Sequence, residues 1–191
     1  DPDHAVPAVV ARSGVRLMVY GSGRSDALQA ADVPLSADVR AGDVLLTSGM
    51  QRTGVTNYES ARQSLAQWWT ARLGNIEQPA VDNGAGLSRN ASITANGLGR
   101  MLQSAWVSPV MPEFVSSMPI VGVDGTLRRS RSKFAGSAHL KTGTLRDSTA
   151  LAGYVDGISG QRYVLVAMAN HANAAAARAA WDALVDWTAA Q

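Results

Sequence analysis

A lysine followed by threonine and glycine is the first group in this sequence that could do chemistry. Lys141 is one of two lysines in a chain that has fifteen arginines. A compact ammonium with rotatable donors suits a site that a wide planar guanidinium would crowd. Gly143 lets a second backbone approach closely, and a strand edge can pair with an extended peptide. Lys141-Thr142-Gly143 therefore predicts a strand that receives a substrate peptide beside a positive charge.

A second group lies in the glycine-rich loop 82–90. Ser88-Arg89-Asn90 places a hydroxyl two residues before a side-chain amide. The hydroxyl of Ser88 can relay a proton, and the amide of Asn90 can donate to a substrate carbonyl and accept from a lysine. Serine and asparagine are also common loop and helix-cap residues, so a purely structural role is the alternative. Both groups occur in this order, 53 residues apart, which favours a shared active site.

Metal and nucleotide chemistry are not indicated by the sequence. The chain has no cysteine, and its three histidines, His4, His139 and His171, lack the spacing of a metal-binding motif. The segment 84–86 (Gly-Ala-Gly) lacks the residues of a phosphate-binding loop. We therefore expect no metal and no cofactor. His139 lies two residues before Lys141, so on a strand the two side chains share a face, and His139 is a candidate substrate neighbour.

The composition is that of a folded globular protein, with 46% hydrophobic and 17% charged residues and a formal charge of +2. The cations are scattered except in the basic segment 128–133, which predicts either a solvated loop or a patch that attracts an anionic substrate. No basic, aromatic-studded face indicates nucleic acid, and no apolar run is long enough for a membrane span. The chain opens on Asp1 and not on Met, as a mature exported protein, a trimmed cytosolic protein or a fragment would.

Hydrophobic periodicity outlines the elements that must position these groups. Apolar residues at spacings of three and four predict helices over 58–73, from the capping residue Thr94 to about Trp106, over 111–118 and over 174–188. The apolar anchors expected in the last helix are Trp181, Leu184, Val185 and Trp187. Short apolar or alternating runs predict strands over 15–20, 139–144, 149–155 and 162–169. The last two strands are expected to form a hairpin. Helices before and after antiparallel strands predict an α+β fold with helices packed on an antiparallel sheet.

Three longer segments carry a family resemblance: DNGAGLSRNASITANGLGRMLQSAW (82–106), SSMPIVGVDGTLRR (116–129) and AHLKTGTLRDSTALAGYV (138–155). They resemble the D-alanyl-D-alanine carboxypeptidase/endopeptidase family of class C low-molecular-mass penicillin-binding proteins. The resemblance runs from about Thr53 to the C-terminus and is specific over 82–170. It implies the penicillin-binding/serine β-lactamase-like transpeptidase fold, an α+β fold in which an antiparallel sheet is flanked by helices.

The resemblance also implies a function. Members of this family are exported bacterial serine peptidases, so a periplasmic or other extracytoplasmic location is expected. They hydrolyse D-Ala-D-Ala or cross-linked stem peptides of peptidoglycan through an acyl-enzyme, and β-lactams acylate them. By this resemblance the catalytic residues are Ser88, Asn90 and Lys141. The substrate-binding residues are then Thr142, Gly143, Thr144 and the neighbouring His139, with Lys141 and Thr142 holding the terminal carboxylate.

One part of the family pattern is not found. The family's nucleophile lies in a Ser-x-x-Lys motif at the start of a helix, well before the second motif, where the lysine activates the serine. The one Ser-x-x-Lys in this sequence is Ser130–Lys133, which follows the second motif and precedes no amphipathic helix. We interpret it as an accidental match. The acylating serine is therefore expected to lie outside these 191 residues, the fold to be incomplete on its N-terminal side, and this chain alone to be inactive.

The domain organisation and partners follow from the same comparison. Residues 53–191 are expected to form the C-terminal part of the transpeptidase-like domain, and residues 1–52 are interpreted as a remnant of an accessory region. The expected partners are peptidoglycan stem peptides, β-lactam antibiotics, the missing N-terminal portion of the enzyme and a second copy of the chain. Two alternatives stay open: a non-catalytic module that binds peptidoglycan peptides, and a β-lactamase or esterase on the same scaffold.

Overall fold

The computed structural model describes the backbone of residues 8–10 and, in full, residues 58–82 and 89–191. These residues fall into two compact units. The smaller comprises 58–82 with 89–93, and the larger comprises 8–10 with 94–191. The strand predicted over 15–20 lies outside the described residues.

The smaller unit is built on helix α1, Tyr58–Leu73, whose bounds are those predicted from the sequence. Glu59 in its first turn and Arg72 in its last turn complement the helix dipole, and Gly74 follows with φ of 64°. Trp69 is buried, and its indole Nε1–H donates to the carbonyl oxygen of Ile76 at 3.1 Å. The buried face of α1 also includes two serines, Ser60 and Ser64, which the apolar pattern did not reveal.

The larger unit contains a four-stranded sheet in the order β1-β4-β3-β2. Its strands are β1 Ala8–Val10, β2 Ala138–Leu145, β3 Ser148–Asp156 and β4 Arg162–Asn170. The pairs β2–β3 and β3–β4 are antiparallel, as predicted, and each strand extends the predicted range by one or two residues. The short β1 adds a parallel pairing to Val164, Leu165 and Val166 of β4.

Three helices belong to this unit: α2 Ala95–Trp106, α3 Met111–Ser116 and α4 Arg178–Ala189. The predicted cap of α2 is confirmed, because the Thr94 hydroxyl oxygen accepts from the Gly97 N–H at 3.0 Å. Helix α3 ends two residues earlier than predicted.

The C-terminal helix differs from its prediction. The alanine run Ala174–Ala177 forms a 3-10 turn and not the first turn of the helix, and no side chain caps α4. Trp181 and Leu184 are partly buried against the core as expected, but Trp187 is 54% exposed. Trp187 is therefore not a core anchor, because it lies on the solvent side of α4 while Val185 faces inward.

Side chains of the sheet alternate between two faces. One face carries the main apolar core, in which residues of β2, β3 and β4 pack with α4: Leu140, Leu151, Val155, Leu165, Ala167, Val185 and Ala189. On the opposite face Tyr154 donates its hydroxyl to the carbonyl oxygen of Leu102 in α2 at 2.7 Å. Its ring also lies 5.0 Å from that of Trp106, between centroids. The two faces therefore have separate helical covers.

Candidate functional site

The Lys-Thr-Gly group lies on β2, the last strand of the sheet in the described part of the chain. The outer edge of β2 is covered at its start: the Val121 N–H donates to the Ala138 carbonyl oxygen at 2.9 Å, and the Leu140 N–H donates to the Pro119 carbonyl oxygen at 2.9 Å. Among the described residues, no strand continues this pairing beyond Leu140. Because backbone groups alternate direction along a strand, those of Thr142 and Thr144 point to the same outer edge.

The ammonium of Lys141 is half-buried beside this edge. Its Nζ donates to the carbonyl oxygen of Thr142 at 2.7 Å. Burial removes water from the charged form and lowers the pKa of Lys141 below its ordinary value of 10.5. A partly desolvated cation of this kind interacts more strongly with a nearby anion or polarised hydroxyl than a solvated one.

The predicted substrate residues divide between the two faces of the sheet. In the register of the sheet, His139, Lys141 and Gly143 pair with Tyr154, Ala152 and Ala150, on the face that packs against α2. Thr142 and Thr144 face the other way, where both line a cleft next to α4. The strand therefore offers an ammonium on one side and two hydroxyls on the other.

Thr126 is a site residue that the sequence interpretation missed. It belongs to the 3-10 turn Gly125–Leu127, and its hydroxyl lies 2.8 Å from the hydroxyl of Thr142. Gly125 has φ of 51°, and a Cβ there would lie 2.9 Å from the Pro119 ring, so the turn requires glycine. The sequence Asp124-Gly125-Thr126 is typical of a turn, which gives no indication of a contact with Thr142.

His139 shares a face with Lys141, as predicted. Its backbone bridges to Ile120 in the segment that covers the start of β2. Its Nδ1 is buried and has no hydrogen-bond partner in the described part of the structure. The role of His139 in substrate binding stays a prediction.

The second predicted group is described only in part. Ser88 lies outside the described residues. Asn90 belongs to the smaller unit, where it is exposed in a bend, four residues before Thr94. The shared site of Ser88, Asn90 and Lys141 accordingly stays a prediction.

The basic segment 128–133 is tied down through its serines. Ser130 Oγ donates to Asp182 Oδ1 at 2.6 Å, and Ser132 Oγ donates to Asp186 Oδ1 at 2.6 Å. The Lys133 N–H adds a bond to Asp186 at 2.8 Å. Both hydroxyls of this Ser-x-x-Lys match are thus engaged by helix α4, which agrees with its interpretation as accidental.

Neither metal binding nor a membrane span is indicated by the described residues. Their histidines and carboxylates form no group of three or more that could hold an ion. None of their helices combines the length and hydropathy needed to cross a bilayer.

Comparison with known proteins adds family information. The model of the D-Ala-D-Ala carboxypeptidase 3 (S13) family matches residues 36–191. The D-alanyl-D-alanine carboxypeptidase of Actinomadura is 33% identical over 111 residues, which cover 49% of this chain and 21% of that protein. The cell shape-determining protein MreC of Escherichia coli is 44% identical over 89 residues, 47% of this chain and 24% of that protein. The matched part is thus under a quarter of either relative.

A solved structure supports the fold. Penicillin-binding protein 4 of Haemophilus influenzae, determined with a β-lactam, superposes with a TM-score of 0.62 at 18% sequence identity, over 68% of this chain and 31% of that one. This likeness confirms the predicted α+β transpeptidase-like fold. Together with the family match over most of the sequence, it confirms the predicted resemblance: the chain belongs to the D-Ala-D-Ala carboxypeptidase 3 (S13) family.

Proposed function

We propose that this chain is part of a serine DD-peptidase that hydrolyses D-Ala-D-Ala or cross-linked stem peptides of peptidoglycan and that β-lactams acylate. The observation that carries the proposal is the placement of Lys141-Thr142-Gly143 on the terminal strand of the sheet. A stem peptide can add to such an edge as a further strand. The family match supports peptidase chemistry at the level of the family.

Each site residue has a proposed role. The backbone groups of Thr142 and Thr144 point to the outer edge and would bond to the substrate main chain. Gly143 has no side chain to obstruct the approach on the face of Lys141. The desolvated ammonium of Lys141 would polarise the relay hydroxyl of Ser88, and the amide of Asn90 would orient the substrate carbonyl.

The acyl-forming serine is proposed to lie outside the 191 residues. Ser130 is the one serine in a Ser-x-x-Lys context, and its hydroxyl donates to Asp182. A serine nucleophile needs a base that removes its proton. Lys133 follows Ser130 by three residues, but the segment is a loop and not a helix, so the family's arrangement of serine and activating lysine is not formed there. The chain alone is therefore proposed to be inactive.

The test is labelling by a fluorescent penicillin and release of D-Ala from a D-Ala-D-Ala peptide, measured on the whole protein that the gene encodes. Lys141→Met should abolish labelling, whereas Lys133→Met, which removes the other lysine of these 191 residues, should leave it unchanged. Labelling of the 191-residue chain alone that disappears with Ser130→Ala would refute the assignment of the nucleophile.

The remaining proposals concern context. We propose a periplasmic or other extracytoplasmic location, a transpeptidase-like part beginning near residue 53, and association with the N-terminal portion of the enzyme or with a second copy. Fractionation of cells that express the whole protein tests the location, and sedimentation of the purified chain tests self-association.

Two alternatives on the same scaffold are separable by rates. A β-lactamase would hydrolyse a cephalosporin with repeated turnover, whereas a DD-peptidase would release D-Ala and stay acylated by the β-lactam. A non-catalytic module would bind the stem peptide and do neither.

The match to MreC favours a second candidate function, a contribution to cell shape. It rests on the 44% identity over 89 residues. Restoration of normal shape in cells that lack their shape-determining protein would support it, and unchanged morphology at normal expression would count against it.

A further inference from the structure

Thr126 and Thr142 form a hydroxyl pair that joins a turn to the Lys-Thr-Gly strand. Their oxygens lie 2.8 Å apart, although the residues are 16 positions apart in the sequence. Thr142 is half-buried and Thr126 is exposed, so water and other small molecules reach the pair from one side. The pair therefore lies at the surface, beside the stretch of β2 that the proposed function assigns to the stem peptide.

The turn that carries Thr126 is held by bonds that do not involve the Thr126 hydroxyl. The Val121 N–H donates to the Ala138 carbonyl oxygen at 2.9 Å, which fixes the start of this segment on β2. The Gly122 N–H donates to the Leu127 carbonyl oxygen at 3.0 Å and closes the turn, and the Leu127 side chain is buried in the core. A variant that lacks only the Thr126 hydroxyl should therefore keep the turn in place.

The pair holds two hydroxyl protons, and only one of them can lie between the two oxygens. If Thr126 donates to Thr142, the Thr142 proton is left to donate outward, whereas the reverse direction occupies that proton. An acceptor on the substrate beside Thr142 selects the first direction. The bond from Thr126 then makes Thr142 a stronger donor, because linked hydrogen bonds polarise one another. It also restrains the Thr142 side chain against rotation to another staggered χ1.

We propose that Thr126 is a positioning residue for the peptidase: its hydroxyl donates to Thr142 Oγ1 and thereby directs the Thr142 proton toward the substrate. This inference rests on the proposed function, because it concerns the same strand, and it adds a residue that lies outside the Lys-Thr-Gly group. The family resemblance assigns the terminal carboxylate of the substrate to Thr142 and Lys141. Thr126 acts through Thr142 and does not itself contact the substrate.

The test is the release of D-Ala by the whole protein that the gene encodes, measured with a D-Ala-D-Ala peptide and with its C-terminal amide. Thr126→Val removes the hydroxyl but keeps the branched shape, and it should lower kcat/KM for the carboxylate peptide about threefold to tenfold. The amide should lose less, because a hydrogen bond to a neutral group is weaker than one to an ion. Thr126→Ser, which keeps the hydroxyl, should retain the wild-type value.

A double-mutant cycle separates positioning from a general structural effect. Thr142→Val removes the group through which Thr126 acts, so Thr126→Val should cause no further loss in that background. Because the pair lies at the surface, Thr126→Val should shift the thermal midpoint by less than about 2 °C.

Three results would each overturn the proposal: an unchanged kcat/KM in Thr126→Val, equal losses with the two peptides, or additive losses in the double variant. These results all require a wild type that releases D-Ala. A wild type that releases none would refute the proposed function itself, and this inference with it.

Discussion

Replacement of Gly153 by alanine tests how closely β2 and β3 approach beside the Lys-Thr-Gly group. Gly153 pairs with Leu140 and has φ of 151°. A Cβ at this position would lie 2.1 Å from the carbonyl oxygen of His139 and 3.0 Å from the Cα of Leu140, both backbone atoms. No rotamer change can relieve such contacts, so the two strands would have to separate.

The magnitude follows from two contributions. The unfavourable φ costs about 1–3 kcal/mol, and overpacking costs about 1–3 kcal/mol, so Gly153→Ala should lower the free energy of unfolding by about 2–6 kcal/mol. Gly160→Ala is a matched control. Gly160 has φ of 81°, but a Cβ there would have no atom within 4 Å. Only the φ contribution applies at Gly160. The reduced entropy of the unfolded chain offsets about 0.4–1 kcal/mol of the loss in both variants, so the two should differ by the overpacking contribution of about 1–3 kcal/mol.

Urea denaturation followed by circular dichroism measures both variants. The expected result is a much larger loss for Gly153→Ala than for Gly160→Ala, or a chain that does not fold without urea. A Gly153→Ala variant as stable as Gly160→Ala would refute the close approach of β2 and β3 at this point. The reasoning would then fail for the placement of Lys141, which follows Leu140 directly.

Three further predictions concern single side chains. Burial lowers the pKa of Lys141, so folding favours its neutral form. The stability of the wild type relative to Lys141→Met should therefore rise as the pH increases toward 10.5. A difference in unfolding free energy that does not change with pH would contradict this. Tyr154→Phe removes a buried donor from the Leu102 carbonyl and should cost about 0.5–1.5 kcal/mol in urea denaturation, and an unchanged midpoint would be evidence against that bond. Ser132→Ala removes a hydrogen bond to the Asp186 carboxylate and should cost about 1.5–3 kcal/mol, whereas an unaffected stability would be evidence against that bond.

The elements with strong local patterns were predicted well. The strand that carries Lys141 and the following hairpin were predicted because alternation and turn residues are local signals. Helix α1 was predicted to the residue, and its capping glycine, Gly74, is visible in the sequence. The sequence also indicated that His139 and Lys141 share a face, since a strand has a period of two.

Features that depend on distant contacts were not predicted. Trp187 and Val185 were both assigned to the core because both are apolar, but only Val185 packs against the sheet, and Trp187 is exposed. The Thr126–Thr142 hydroxyl pair joins residues 16 apart through a turn, and nothing in either residue's own neighbourhood indicates it. The period of the strand places Lys141 and Thr142 on opposite faces of the sheet, whereas the family resemblance implies that both hold the terminal carboxylate.

The segment around Pro119 limits where a further strand can pair with β2. Because its backbone already occupies the edge of β2 up to Leu140, an incoming chain can extend only along Lys141–Leu145. Five residues at about 3.4 Å each give a strand edge about 17 Å long that is open to pairing. A peptide that pairs with β2 would therefore have its register set at Lys141, where the free edge begins. A paired segment longer than this edge would have to bend away from the sheet.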